Sequence, residues 1–313
     1  MSLARTEFQS VSPPNAGAHS DVCAVIVTYN PEPSFEQNVR ALLPQVSKLI
    51  IVDNQSASAG HSVIAQTAAA CDVEVIWNQQ NLGIAGGLNA GINRALAAGP
   101  YSWIATFDQD SRVAPDYVAA ILKAYSACPF RDEVAMVCAN YNNPIQECED
   151  NPIPRASRFV FREIKSAITS GSFVKIMVFG ICGQYDESLF MDYVDHEFCL
   201  RLRKHRFRII QAGNALLQHE IGSPTSHRFL WKSFLSTNHS STRRYHNAHN
   251  RLQVYRRYLN SEISWVLNDG FGWLREIIKV ALVERNRAEK LVSTAKGAWD
   301  AMKEPSSPSS SAK

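Results

Sequence analysis

The chain has 313 residues, 45% of them hydrophobic, and its 32 basic and 29 acidic side chains leave a formal net charge of only +3. That apolar content supplies a core for one large α/β domain or two modest ones and excludes a disordered chain. The small charge excess gives no basis for nucleic-acid binding through bulk electrostatics, so no nucleic-acid partner is expected.

Residues 1–20 form a polar leader containing Glu7, Pro13 and Pro14. It has no apolar run of signal-peptide length, so a flexible segment and no export are expected. A β-rich run at 22–27 lacks alternation, as in a strand buried on both faces of a parallel sheet, and stops at Thr28-Tyr29-Asn30-Pro31. A helix is expected over 34–43 and a strand over 48–52 that ends at Asp53-Asn54. A helix near 62–70, a strand at 73–77, a Gly-rich turn, a helix over 88–98 and a strand at 103–107 follow. This alternation predicts a doubly wound, mostly parallel Rossmann-like sheet, whose ligands bind beyond the carboxyl ends of the strands. The loops at those ends read TYNP, DNQS, NQQNLGIAGG and DQDS.

Beyond Cys138 come irregular segments with prolines at 144, 152 and 154, strands near 164–169 and 172–179, and a helix over 194–204. From 264 onward Leu274, Ile277, Ile278, Ala281, Leu282, Ala288, Leu291, Ala295 and Trp299 recur at helical spacing, predicting a C-terminal helical segment over 261–303. The Ser- and Pro-rich residues 304–313 are expected to be disordered. Lys175 and Lys279 interrupt the longest apolar stretches, so neither is expected to cross a bilayer. Seven cysteines without CxxC spacing read as reduced, mostly buried thiols of a cytoplasmic protein.

The strongest chemical signal is Phe107-Asp108-Gln109-Asp110-Ser111. Two carboxylates two residues apart at a strand end suit a hard cation such as Mg2+ or Mn2+, or a solvated acidic turn. Asp53 can accept hydrogen bonds from a pyrimidine imide or a ribose, or simply cap its turn. Thr28, Tyr29 and Asn30 offer a stacking ring and polar groups to a nucleoside. The segment 81–91, with Asn81, Gly83, Ile84, Ala85, Gly87 and Asn89, allows close backbone approach and free helix-start N–H groups for an anion; tight helix packing is the alternative. It is neither a Walker loop nor a GxGxxG turn after the first strand, which disfavours a dinucleotide-dependent oxidoreductase. A second cluster, Leu189-Phe190-Met191-Asp192-Tyr193-Val194-Asp195-His196-Glu197-Phe198-Cys199-Leu200-Arg201, gathers three acids around a helix start, as catalytic groups or as dipole complements. His219 follows an apolar stretch as a candidate imidazole ligand or a core histidine.

Taken together, VIVTYNP, IIVDNQS, NQQNLGIAGGLNAGI, FDQDS, ITSGS, LFMDYVDHEFCLR, LQHEIGS and RRYHNAHNRLQVYRRY resemble family 2 of the inverting glycosyltransferases, which have a GT-A fold, and within it bacterial rhamnosyltransferases of O-antigen-type polysaccharide or rhamnolipid synthesis. The resemblance covers about 22–260. It implies a GT-A domain over 21–260, with 21–138 as nucleotide-sugar half and 139–260 as acceptor half. It also implies Asp110 as the carboxylate nearest the metal, Asp108 on the donor ribose or the metal's water shell, and His219 as a further ligand. Asp195 takes the position of the catalytic base, with Glu197 and Arg201 holding its helix. Many relatives have Glu-Asp where this chain has Val194-Asp195, so Asp192 is the candidate helper acid.

By the same resemblance Asp53, the TYNP loop, Gln109, residues 83–87 and Asn89 meet the donor, expected to be dTDP-L-rhamnose, with inversion of a β-linked donor to an α-rhamnoside. Gly171, Arg243, Arg244 and Tyr245 are candidates for phosphate or a saccharide or lipid-linked acceptor. Alternatives are a related transferase using a UDP-hexose or galactofuranose donor and, more distantly, a non-catalytic sugar-nucleotide-binding protein. The amphipathic stretch from Phe271 serves packing onto its own domain, a second subunit, or the inner face of the cytoplasmic membrane.

Overall fold

The structure, a computed structural model, describes residues 21–142, 159–218 and 239–304, and the backbone of 225–229 and 232–236. The 1–20 leader, the prolines at 144, 152 and 154, Cys148, His219 and residues 305–313 lie outside the described residues.

The first half is built as β1 (Val22–Thr28), α1 (Phe35–Leu42), β2 (Lys48–Asp53), α2 (Ser58–Cys71), β3 (Glu74–Trp77), α3 (Gly83–Ala98) and β4 (Trp103–Asp108). These strands pair in parallel in the order β3-β2-β1-β4. Every residue of β1 is buried. Alternate side chains sort to opposite faces: Cys23, Val25 and Val27 pack with α3, while Val22, Ala24 and Ile26 pack with Phe35, Val39 and Leu42 of α1. This double burial is why the strand reads as a continuous apolar run.

The second half departs from a simple parallel continuation. After β5 (Arg112–Val113), α4 (Tyr117–Ala127), β6 (Val134–Asn142) and β7 (Phe161–Ile164), the strand β8 (Ser172–Lys175) inserts antiparallel between β4 and β6. The helices α5 (Ile176–Cys182) and α6 (Val194–Lys204) precede β9 (Arg208–Gln218), which runs parallel to β6 and antiparallel to β5 and β7. Among the described residues nine strands thus form one mixed sheet, and β10 (Thr225–Phe229) pairs with β11 (Lys232–Ser236) in a separate ribbon. The apolar run at 172–179, expected as one strand, is a four-residue strand that turns directly into α5; an apolar run without periodicity fits either element.

Three helices complete the chain: α7 (Ser241–Tyr258), α8 (Ile263–Val283) and α9 (Arg287–Lys303). The expected C-terminal helical segment is therefore two helices, broken at Asn286, whose φ of 54° is left-handed. No described helix is long and apolar enough to cross a membrane.

Candidate active site

Register carries the strand-end loops to one edge of the sheet. Thr28 lies beside Asp53, Asp53 beside Trp77, and Val27 beside Asp108. Each loop is then stitched by its own polar residues. Asp53, nearly fully buried, accepts from the Ser56 N–H at 3.0 Å and from the Ser56 hydroxyl at 2.5 Å, while the Thr28 hydroxyl donates to the Val52 carbonyl at 3.3 Å. The Asn30 N–H donates to Ser56 Oγ at 2.7 Å, and Asn30 Oδ1 accepts from the Ala57 N–H at 2.7 Å. Gln109 reaches back to the TYNP loop, its Oε1 accepting from the Tyr29 N–H at 2.8 Å, and leaves the Tyr29 ring exposed. Asp108 and Asp110 flank this clip, Asp108 half-buried and Asp110 exposed.

The Gly-rich segment is not a turn but the first turns of α3. Its glycines answer to packing: a Cβ on Gly87 would stand 2.7 Å from Val27 Cγ1, and one on Gly83, at φ +72°, would stand 2.2 Å from the Phe190 carbonyl oxygen. The helix-start N–H groups expected to be free are partly used, since Gly83 donates to Asn81 Oδ1 at 2.9 Å and Ile84 to the Phe190 carbonyl at 3.0 Å. Ala85 is fully buried. Asn89 is also buried, and its side chain bonds the Tyr185 N–H and carbonyl and Glu187 Oε1 at 2.8–3.0 Å. These contacts tie α3 to residues 185–190, the approach to the second acidic cluster.

That cluster is braced from a distance. Asp192 and Tyr193 both adopt left-handed backbone, at φ 62° and 67°, just before α6 carries Asp195 in its first turn. Two consecutive non-glycine residues in this region cost on the order of 1–2 kcal/mol each and need outside support. Helix α7 supplies it: Asn250 Nδ2 donates to the Met191 and Asp192 carbonyls at 2.7 and 3.2 Å, and Arg243 pairs with the Asp192 carboxylate at 2.8 Å. Tyr193 donates to Asp269 of α8 at 2.7 Å and is also bonded by the Arg251 guanidinium. Asp195 is half-buried, its Oδ1 accepting from the His196 N–H at 2.8 Å.

Behind it Glu197 and Arg201 form a buried ion pair at 2.7 Å. Tyr258 adds a hydrogen bond to Glu197, and Arg201 donates to the Cys182 and Gln184 carbonyls at 2.7 Å. Burial works against the Arg201 charge, and the Glu197 carboxylate outweighs it, holding the guanidinium pKa above its usual value. Both residues lie on the buried face of α6, and their bonds to Tyr258, Cys182 and Gln184 anchor the helix.

The two acidic loops meet electrostatically at Arg243. Partial desolvation works against its charge, although 45% of the side chain stays exposed; the hydrogen bond and field of Asp192, together with the fields of Asp108 and Asp195, raise its pKa instead. Arg243 thus contacts Asp192 ahead of α6 at 2.8 Å and feels the fields of Asp108 and Asp195. Arg244 and Tyr245 are not brought there. Arg244 is buried against Glu276 and Glu284, and Tyr245 donates to Asp300 of α9 at 2.9 Å, so both serve helix packing. Gly171, at φ +71°, fits where a Cβ would stand 2.6 Å from the Tyr117 hydroxyl.

Two residues that the sequence did not single out join the loops. The Ser170 hydroxyl accepts from the Asp108 N–H at 3.1 Å, and Ser166 bonds His196 Nδ1 at 2.8 Å, so the 166–172 segment links the DQDS strand end to α6. The ITSGS string is the only signal for it. Burial pushes the Cys23 and Cys199 thiols up to about 12 and that of Cys182 to about 11, which rules these three out as thiolate nucleophiles at neutral pH.

For a metal, Asp108 and Asp110 supply hard oxygen donors, and no group of three acids, histidines or cysteines gathers among the described residues. Mg2+ commonly binds through one or two carboxylates, with substrate phosphates and water completing its shell, so this donor set fits a metal that arrives with a diphosphate.

A parallel β-α half with polar strand ends, facing an acid-bearing helix across a mixed sheet, is the GT-A glycosyltransferase fold. Solved structures agree. The GalNAc-T7 complex with UDP, GalNAc and Mn2+ superposes with a TM-score of 0.58 at 11% identity, over 93% of this chain and 57% of that one. The S. aureus TarS 1–349 structure gives 0.58 at 10% identity, over 90% and 81%. The family model described as glycosyl transferase family 2 matches residues 23–179, and the chain belongs to that family. It is 29% identical over 258 residues to the dTDP-rhamnosyl transferase RfbF of Shigella flexneri, covering 76% of this chain and 81% of that protein. To the low-salt glycan biosynthesis hexosyltransferase Agl10 of Haloferax volcanii it is 22% identical over 205 residues, covering 61% and 64%.

Proposed function

We propose that this glycosyltransferase is a metal-dependent, inverting enzyme that moves L-rhamnose from dTDP-L-rhamnose to a hydroxyl of a saccharide or lipid-linked acceptor. Residues 21–138 take the donor and 139–260 the acceptor. The observation that carries the chemistry is the Arg243–Asp192 ion pair ahead of the helix that bears Asp195, together with the Ser170 and Ser166 bonds that link the DQDS strand end to that helix. It supports one crevice shared by a base and a diphosphate site. The 29% identical dTDP-rhamnosyl transferase supports the donor.

In this reading Asp195 removes the acceptor hydroxyl proton as that oxygen bonds the anomeric carbon, the bond to the diphosphate oxygen breaks on the opposite face, and the nucleoside diphosphate departs. The buried Glu197–Arg201 pair and the braced 191–193 turn hold the carboxylate in line, so positioning is provided before substrate arrives. Asp108 and Asp110, with His219, would hold Mg2+ or Mn2+, which neutralises charge on a departing diphosphate when bound. In the same reading Tyr29, whose ring is exposed beside the Asp53 turn, covers the base of the nucleoside.

The test is a donor panel on the full chain, with thermal shift and transfer read for dTDP-rhamnose, UDP-glucose and UDP-galactofuranose, each with Mg2+, Mn2+ or EDTA. Stabilisation and turnover with dTDP-rhamnose and a divalent ion are expected, with EDTA abolishing turnover. Preference for a UDP-hexose would support the second reading, a related transferase using another nucleotide sugar. Turnover in EDTA would remove the metal from the mechanism.

A further inference from the structure

A surface helix needs one apolar face, and α8 has two. Val266 and Val280 are buried, and Trp273, Glu276 and Ile277 line a narrow gap with Arg244 and Asn247 of α7 and Leu291 of α9. That is the packed face. Ile263, Leu267, Phe271, Leu274, Ile278 and Leu282 are all exposed, at 49–66%. At 100° per residue they fall within an arc of about 100°, and they run the helix's full length of roughly 30 Å, on the side away from Val266 and Val280. Six such side chains make a patch on the order of several hundred Å2, the size that marks an interaction site on a monomer and approaches the roughly 800 Å2 per partner of a standard interface.

The spacing of the stripe identifies its occupant. Along the chain Ile263 mirrors Leu282, Leu267 mirrors Ile278, and Phe271 mirrors Leu274 about the point between residues 272 and 273. A stripe with this symmetry is complementary to itself reversed: a two-fold axis through its centre lays an identical helix antiparallel on it, apolar residue on apolar residue throughout. A membrane surface favours a polar face rich in Lys and Arg along its whole length, whereas of its charged side chains α8 presents only Arg275 and Lys279 to solvent, Asp269 and Glu276 being paired with Arg251 and Arg244 on the packed face. We propose that α8 is the core of a homodimer interface, formed with the α8 of a second copy in antiparallel register, on the C-terminal helices outside the crevice around Arg243.

Light scattering and sedimentation of the full chain at tens of micromolar should give a dimer. The Leu267→Asp/Ile278→Asp variant should weaken it roughly tenfold or more while keeping its melting temperature and transfer rate, since both side chains are exposed in the single chain. Register is read independently by cysteine pairing in a Cys71→Ser/Cys148→Ser background. Mixed Leu267→Cys and Ile278→Cys chains should form a disulfide. Neither should pair with itself, because the antiparallel axis sets like positions about 16 Å apart along the helix. A monomer at these concentrations, a dimer indifferent to the aspartates, or self-pairing of Leu267→Cys would overturn the proposal. So would a monomer that pellets with phosphatidylglycerol vesicles and loses this in the aspartate variant, which would give the stripe to a membrane.

Discussion

The strand-end loops of the first half and the turn before α6 are held by different parts of the fold. At the strand ends of the first half some contacts are short in sequence, Ser56 bonding Asp53 three residues away and Asn81 capping Gly83, and others clip neighbouring strand ends together, Asn30 to Ser56 and Tyr29 to Gln109. The turn before α6 is held from 50 to 80 residues downstream, by Arg243, Asn250 and Arg251 of α7 and Asp269 of α8. Loops that cap themselves and clip to the neighbouring strand end keep their shape wherever the parallel sheet is formed. A turn braced from outside keeps its shape only when the whole chain is assembled.

Substitutions can break or sharpen this contrast, and the largest effect is expected at the base. Asp195→Asn should lower transfer by roughly 10²–10⁴-fold, measured as initial rate, while donor binding by thermal shift stays unchanged. Next in size is Glu197→Ala, which strands a buried guanidinium. It should cost about 3–5 kcal/mol in chemical denaturation and take activity with it. Asn250→Ala removes donors from two carbonyls of the left-handed turn. A loss of about 1–3 kcal/mol is expected, seen as reduced kcat with donor affinity intact; an equal loss in both would blur the distinction between the loops. The smallest effect is that of Ser56→Ala, about 0.5–2 kcal/mol, confined to the donor side and read as weaker nucleotide binding with kcat preserved.

The same contrast explains what was legible in the sequence. Strands β1, β2 and β4 were plain as buried runs ending in polar residues, and α6 began at its acids, because each is decided by nearby residues. The start of α3 was hidden, since glycines that signal a turn locally are here required by the approach of the helix to β1 and to Phe190. The antiparallel insertion of β8 left no trace, as pairing partners are chosen by topology and not by the strand's own residues. Of the site, Asp108, Asp110, Asp192 and Asp195 stood out as acids in suggestive places. Ser166, Ser170, Asn250 and Asp269 did not, because a lone serine or asparagine acquires its role only from what the fold sets against it. Arg243, Arg244 and Tyr245 look equivalent in sequence, and the 100° step of the helix sends them to different neighbours.

The family-matching core ends at residue 179, yet the left-handed pair at 192 and 193 leans on a carboxylate at 269. An expression fragment cut after α7 would retain every recognisable motif and still let that kinked backbone relax toward ordinary dihedrals, swinging the first turn of α6 off its aim. Helices α8 and α9 are thus a buttress rather than an appendage, and shortening the chain for crystallisation or for domain grafting should spare both.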